Sequence, residues 1–238
     1  MCEDHKHYLS RRHLMAAGTA AAFLGGLALP ATAQEKPPAA APNAISPDVA
    51  LKRIMDGNQR YAANTSRNKD YSVGRAARAA AQYPIAALLS CADARVAPEL
   101  VFDQGPGELF IVRGAGNFVN DDGLASLEYG VKFLGTPLIM VLGHSGCGAV
   151  AATIKVVEEN VTLPGHLPGL VEAIKPAVMI AAKTKAKNPL DEAIAENVRY
   201  NVRKLQEATP IIDAFVKSGK VKVVGGVYNI ATGKVSLL

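Results

Sequence analysis

The sequence predicts an α/β fold with a mostly parallel central β-sheet flanked by helices. Short apolar runs alternate along the chain with longer stretches of helical character, the pattern of repeated β-α-β units. The runs are apolar at nearly every position, as in strands that are buried on both faces of a parallel sheet. The chain has 238 residues, of which 49% are hydrophobic, and this suffices for one domain with a substantial core.

The first 33 residues have the pattern of a twin-arginine export signal and are predicted to be a signal peptide. Arg11 and Arg12 form the arginine pair, residues 16–29 are apolar, and residues 31–33 fit a small-x-small cleavage site. An uncleaved membrane anchor is the alternative, but the apolar run is shorter than the roughly 20 residues that a bilayer span needs. We therefore expect a periplasmic or secreted protein without a membrane segment in its mature form.

The next segment, residues 34–47, is rich in Pro and Ala and is predicted to be a flexible tether. Ser46 and Pro47 then resemble a helix start, with Ser as the cap and Pro in the first turn. A helical arm is expected from there to about Ala63, and a second helix over residues 73–82.

Residues 48–238 form the predicted domain. Strands are predicted at 85–89, 109–112, 138–142 and 221–228, with a short strand at the C-terminal edge over 235–238. The intervening helices are predicted at 123–134, 148–159, 167–185 and 189–208.

Charge and composition argue against nucleic acid as a partner. The formal net charge is +5, but the basic residues are scattered and only 5% of residues are aromatic. Once residues 1–33 are removed, the chain keeps two cysteines, Cys91 and Cys147, and two histidines, His144 and His166. A site for a soft metal must be drawn from these side chains and from carboxylates.

The strongest constellation joins two segments that each follow an apolar run. Cys91 is followed by Asp93 and Arg95 in a CxDxR pattern, and His144 is followed by Cys147 in an HxxC pattern. Sites in open α/β sheets form at the carboxyl ends of strands, so Cys91, His144 and Cys147 are expected to converge there. Two thiolates and one imidazole suit tetrahedral zinc and leave the fourth position for water.

Two alternatives stay open at this point. His166 could complete a closed, structural zinc site, although it lies in a loop-like stretch that is poorly placed for the same strand ends. Cys91 and Cys147 could instead form a disulfide, since export implies an oxidising compartment. Zinc protects its thiolate ligands, however, and a disulfide would leave Asp93 and Arg95 without a role.

With these residues in view, the chain resembles the β-class carbonic anhydrases. The resemblance covers roughly residues 48–238 and is carried by residues 91–99, 107–113, 126–129 and 143–150. It implies one zinc ion per subunit, bound by Cys91, His144 and Cys147, with Asp93 and Arg95 paired beside the metal. The substrate pair it implies is carbon dioxide and bicarbonate.

The resemblance also implies a homodimer or a larger oligomer built from dimers. Gln82, Phe110 and Tyr129 match residues that reach the site from the partner subunit, with the Gln82 amide contacting substrate and the two rings lining an apolar pocket. Gly148, next to Cys147, is counted with the substrate-binding residues. One departure is Gly114, where the family often has Asn.

The implied reaction is the reversible hydration of carbon dioxide by zinc-bound hydroxide, because zinc can lower the pKa of bound water to about 7. Asp93 would accept a hydrogen bond from the hydroxide, and Arg95 would keep Asp93 ionised. Two other functions remain as alternatives: hydrolysis of carbonyl sulfide or carbon disulfide on the same scaffold, and a zinc or redox protein without catalytic activity.

Overall fold

The computed structural model describes residues 41–67 and 69–238. The predicted signal peptide, residues 1–33, lies outside the described residues, as does the first half of the predicted tether, residues 34–40 of 34–47. Within the described ranges, no helix is both long enough and apolar enough to cross a bilayer.

A five-stranded sheet forms the centre of the domain, in the order β2-β1-β3-β4-β5. Its strands are β1 (Ala86–Cys91), β2 (Leu109–Gly114), β3 (Leu138–His144), β4 (Lys222–Tyr228) and β5 (Val235–Leu237). The first four strands in the sequence are mutually parallel, and β5 pairs antiparallel with β4 at the edge. The predicted fold class is confirmed, including the short C-terminal edge strand.

Eight helices surround the sheet among the described residues. They are α1 (Pro47–Ala62), α2 (Arg75–Ala80), α3 (Pro98–Val101), α4 (Asp121–Lys132), α5 (Gly148–Glu159), α6 (Leu167–Ala182), α7 (Pro189–Gln206) and α8 (Ile212–Lys217). The sequence did not predict α3 and α8, because helices this short show no apolar period. The second predicted helix, over 73–82, is shorter than expected, since Gly74 before it has a φ of +74° and Ala81 after it is extended.

Side-chain caps fix where the longer helices begin. The Ser46 hydroxyl accepts a hydrogen bond from the Val49 backbone at 3.3 Å, as the sequence predicted for the start of α1. Asn120 caps α4 and Asn188 caps α7 in the same manner. Each cap satisfies a backbone N–H that has no partner within its helix.

The strands direct alternate side chains to two apolar layers. In β1, Leu88 packs with Ile54 of α1 on one face of the sheet. The next residue, Leu89, packs with Val198 of α7 on the other face. Burial on both faces explains why these strands are apolar throughout.

A third apolar cluster lies at the carboxyl end of the sheet and includes the two cysteines. Val150 of α5, Ile174 of α6 and Ile194 of α7 pack in the same cluster as Cys91 and Cys147. The cysteines are only 4% and 1% exposed. The fold therefore encloses both sulfur atoms within packed helices.

Candidate metal centre

Cys91, His144 and Cys147 meet at the carboxyl ends of two neighbouring strands. Cys91 is the last residue of β1, His144 is the last residue of β3, and Cys147 is the N-cap of α5. Because β1 and β3 pair in parallel, their ends lie side by side. Their ligand atoms all lie within 4.8 Å of one another, close enough to share one ion.

The imidazole of His144 is oriented toward the two sulfur atoms. Its Nδ1 lies 3.1 Å from the Ser145 carbonyl oxygen, which can only accept, so Nδ1 carries the proton. Nε2 is buried and has no hydrogen-bond partner among the residues that the structure describes. A buried nitrogen lone pair without a partner is costly, and a metal ion would satisfy it.

The two thiols share one proton between them. The hydrogen bond from Cys147 lowers the pKa of Cys91 to about 4, despite the opposing effect of burial. The hydrogen bond to Cys91 and burial together raise the pKa of Cys147 above its ordinary value. Burial alone would lower the pKa of His144, but the nearby Cys91 thiolate outweighs it and raises that pKa. A divalent cation would displace these protons, so the donor set fits zinc.

Two glycines shape the segment that carries His144 and Cys147. Gly146 has a φ of +65°, a conformation that suits glycine and turns the chain between the two ligands. Gly148 is the first residue of α5 and is exposed. Apart from its chain neighbours and the backbone of its own helix, no described atom lies within 4 Å of a Cβ built at Gly148, so the space on that side of Gly148 is open.

Asp93 lies beside Nε2 of His144 and is paired with Arg95. Asp93 Oδ2 is 3.8 Å from His144 Nε2. Arg95 donates from Nε to Oδ1 at 2.9 Å and from Nη2 to Oδ2 at 2.7 Å, and its backbone N–H also donates to Oδ1. These hydrogen bonds from Arg95 hold the pKa of Asp93 well below its ordinary value. The carboxylate is therefore ionised at neutral pH and fixed in direction.

Arg113 braces the loop that carries Asp93, a role that the sequence did not reveal. Its guanidinium donates to the backbone carbonyls of Cys91 at 3.0 Å, Asp93 at 2.9 Å and Val96 at 2.9 Å. The only signal in the sequence is a single charged residue near the end of the apolar strand β2. Three carbonyl contacts from one planar group hold the loop close to β2.

The structure does not bring Gln82, Phe110 and Tyr129 to the cluster of their own chain. Phe110 pairs with Ala87, four positions before Cys91, and so lies about 13 Å from the strand end at about 3.3 Å per residue. The ring of Tyr129 packs at 6.4 Å from that of Phe110 and is 48% exposed. Gln82 is exposed and lines an open cleft of about 700 Å³. Their assignment to a partner's site stays a prediction.

The two alternatives for the cysteines find no support. His166 is an exposed residue that precedes α6 and is not part of the cluster, whose members among the described residues are Cys91, His144 and Cys147. Cys91 and Cys147 are free thiols and do not form a disulfide. Among the described residues, the cluster therefore consists of three potential ligands.

Comparisons with known proteins agree with this geometry. The profile of the family described as carbonic anhydrase matches residues 86–235. A carbonic anhydrase of Mycolicibacterium smegmatis is 37% identical over 81% of this chain and 93% of its own length. A carbonic anhydrase of Pseudomonas aeruginosa is 34% identical over 66% of this chain and 74% of its own.

Solved structures show the same fold. The β-carbonic anhydrase of Coccomyxa, in complex with acetazolamide, is 29% identical with a TM-score of 0.59, over 79% of this chain and 86% of the other. Tetrameric β-carbonic anhydrases of Sordaria macrospora superpose with a TM-score of 0.63 at 20% identity, over 80% of this chain and 97% of the other.

Proposed function

The chain belongs to the β-class carbonic anhydrase family and catalyses the reversible hydration of carbon dioxide, and we propose that it does so with one zinc ion per subunit. The proposed ligands are Cys91, His144 and Cys147. The observation that carries the proposal is the convergence of their ligand atoms within 4.8 Å, with the buried Nε2 of His144 left without another partner among the described residues.

Zinc suits these donors better than a harder cation does. Thiolate and imidazole are its preferred ligands, whereas magnesium and calcium take oxygen. When bound, the ion would supply hydroxide from solvent water near neutral pH. Gly146 and Gly148 carry no side chains, and a Cβ at either position would point into open space, so a small substrate is proposed to approach beside Cys147.

Asp93 is proposed to orient the nucleophile. Its carboxylate lies 3.8 Å from His144 Nε2 and is held by Arg95, so it can accept a hydrogen bond from a hydroxyl group at a fixed position. An acceptor that stays ionised keeps the hydroxyl proton directed away from the substrate carbon. Arg95 and Arg113 are proposed to position this group, one through its side chain and the other through its backbone.

The active form is proposed to be a homodimer or a larger oligomer of dimers. Phe110 of β2, an edge strand of the sheet, and Tyr129 of α4 form a partly exposed aromatic pair. In one chain they lie far from the metal centre, and a second copy packed on this edge could bring them and Gln82 to it. Carbon dioxide is apolar, so two rings and one amide donor would suit it.

Export is proposed from the sequence pattern of residues 1–33. A twin-arginine signal would carry the protein across the membrane already folded, with its thiolates already bound to metal. Replacing Arg11 and Arg12 by Lys, followed by cell fractionation, tests this. Retention of the protein in the cytoplasm is expected, and unchanged export would contradict the assignment.

The zinc proposal is tested by comparing two histidine variants. Purified wild-type protein should contain one zinc per chain and hydrate carbon dioxide in a stopped-flow assay. His144→Ala should lose both the metal and the activity, whereas His166→Ala should keep both, because His166 is exposed and outside the cluster. Full zinc content in His144→Ala would overturn the ligand assignment. The same assay with carbonyl sulfide in place of carbon dioxide shows whether the protein also hydrolyses sulfur-containing substrates.

A further inference from the structure

The backbone N–H of Gly116 donates a hydrogen bond to the sulfur of Cys91, with 3.2 Å between N and Sγ. Gly116 lies in the turn that follows β2, whose last residue, Gly114, is in register with Cys91. Its φ is +87°, and a Cβ added there would lie 2.4 Å from Ile174 Cδ1. The turn therefore requires glycine, and it places a fixed donor beside one of the sulfur ligands.

Two asparagines of α7 hold this turn. Asn197 Nδ2 donates to the Gly116 carbonyl at 2.8 Å, and Asn201 Oδ1 accepts from the Val119 backbone at 2.9 Å. Asn201 Nδ2 also donates to Asn197 Oδ1 at 3.2 Å. Because that oxygen accepts from Asn201, the amide nitrogen of Asn197 is the atom that faces Gly116.

Burying these two asparagines in a helix is unfavourable in free energy. They are 0% and 1% exposed, on a helix whose other inward residues include Ala193, Ile194 and Val198. Asn is a poor helix former, and a buried amide is costly unless it is hydrogen-bonded. Apolar side chains would stabilise this face of α7 better. Packing therefore does not account for Asn197 and Asn201, whereas their hydrogen bonds to the turn beside Cys91 do.

We infer that Asn197 is a positioning residue of the metal centre, which keeps the Gly116 N–H on the Cys91 sulfur and so limits the charge that this thiolate donates to the ion. The inference rests on the proposed zinc site. A hydrogen bond to a thiolate stabilises its lone pairs, and contacts behind the ligands tune metal affinity. Without the Asn197 amide, the turn can move the Gly116 N–H away from the sulfur. The Cys91 thiolate then donates more charge to the ion, but its position is no longer fixed by the hydrogen bond.

Cobalt substitution provides a spectroscopic test. Co²⁺ accepts the same tetrahedral ligands, and its sulfur-to-metal charge-transfer band reports the energy of the thiolate lone pairs. Wild type, Asn197→Ala and a control, Asn58→Ala, are compared as purified full-length proteins loaded with Co²⁺. Asn58 is another buried asparagine, 3% exposed, on α1. Its side chain forms hydrogen bonds with backbone groups of Val101, Gly233 and Val235, away from the cluster.

In Asn197→Ala the band is expected at longer wavelength, because the sulfur lone pairs rise in energy when the hydrogen bond is lost. Zinc affinity, measured by competition with a chelator, should fall about tenfold or more. Asn58→Ala should lower the midpoint of thermal unfolding without moving the band. A band at the wild-type wavelength in cobalt-loaded Asn197→Ala would overturn the inference.

A second variant covers the case in which Asn197→Ala does not fold. Asn201→Ala removes the donor that orients the Asn197 amide, and a smaller shift in the same direction is expected. An unmoved band in Asn201→Ala would then refute the inference. A wild-type protein without any sulfur-to-cobalt band would overturn the zinc site itself, which distinguishes that failure from failure of the positioning role.

Discussion

Asp93 and Arg95 combine two properties that a surface ion pair lacks: a bidentate contact and a position beside the buried His144. Asp93→Asn should keep zinc, because Asp93 is not one of the three converging ligands. Its kcat should fall about 100-fold or more, since the amide can donate a proton where an acceptor is needed. Stopped-flow hydration and metal analysis on the same preparation check both parts.

The matched control is Asp56→Asn, which removes an exposed carboxylate paired with Lys52 on α1. That variant should have wild-type activity. Wild-type kcat in Asp93→Asn would show that the carboxylate only packs beside the centre.

Glu108 is predicted to stabilise the fold at neutral pH but not in acid. Burial alone would raise its pKa, but the hydrogen bond from the Gly105 backbone and the charges of Lys69 and Arg53 outweigh it, so its pKa lies below its ordinary value. Because its pKa is lower in the folded state, ionised Glu108 stabilises the fold at pH values above its unfolded-state pKa of about 4.3. This contribution is lost as the pH falls through the folded-state pKa.

Glu108→Gln should therefore lower the free energy of unfolding by about 1–2 kcal/mol at pH 7. Urea titrations at pH 7 and pH 3 should show the difference from wild type shrinking at the lower pH. Glu172→Gln, whose partner Lys175 is also exposed, should change little at either pH. A difference for Glu108→Gln that is constant with pH would contradict the assignment.

The convergence of Cys91, His144 and Cys147 was predictable from the sequence, whereas the contacts that support the cluster were not. Cys91 and His144 end apolar strands, and parallel strands present their carboxyl ends together, so their convergence follows from topology. Arg113 and Asn197 act through backbone carbonyls of distant segments, and such contacts leave no pattern of residue types. Asn197 and Asn201, four residues apart on an inward helix face, are the one clue that periodicity offers.

The close approach of α1 to α3 depends on one glycine. A Cβ at Gly57 would lie 1.8 Å from the Phe102 carbonyl oxygen, and a backbone atom cannot rotate away. Gly57→Ala should therefore lower the free energy of unfolding by at least about 2 kcal/mol, measured by urea denaturation.

Gly169, in the first turn of α6, is the control for this helix substitution. No described atom lies within 4 Å of a Cβ at that position, so Gly169→Ala should be neutral or stabilise by up to about 1 kcal/mol. If Gly57→Ala and Gly169→Ala unfold at the same urea concentration, the approach of α1 to α3 does not depend on the absence of a side chain at Gly57.

The main strands and long helices could be predicted because each buries a continuous apolar face. The ends were less predictable. β3 extends to His144, because backbone pairing with β4 continues to Tyr228 after the apolar run has ended. The helix α3 was hidden because its four residues begin at Pro98 directly after the CxDxR segment.

In the molecule as a whole, the exposed aromatic surface lies next to the β2 edge. Phe133 is 68% exposed, and its ring centroid lies 5.4 Å from that of Tyr129, which extends the Phe110–Tyr129 pair to three rings. An exposed apolar surface of this kind favours association with another copy. Phe133→Glu should therefore shift the protein toward monomer in light scattering and lower its activity without changing its zinc content.

Met179→Glu is the control for this surface. Met179 is 47% exposed on α6, and the charge placed there should leave the oligomeric state unchanged. If Phe133→Glu keeps the wild-type mass, the oligomer is built from another surface.

The enclosure of the two sulfurs has a kinetic consequence for ion exchange. Cys91, Cys147 and His144 are 4%, 1% and 0% exposed, so an incoming or departing ion can reach them only through a narrow opening in the surrounding side chains. A small chelator that fits this opening should strip the protein faster than a bulky one of equal affinity. A bound ion would then be retained in the presence of competing chelators whose equilibrium affinity is higher, because its release is slow.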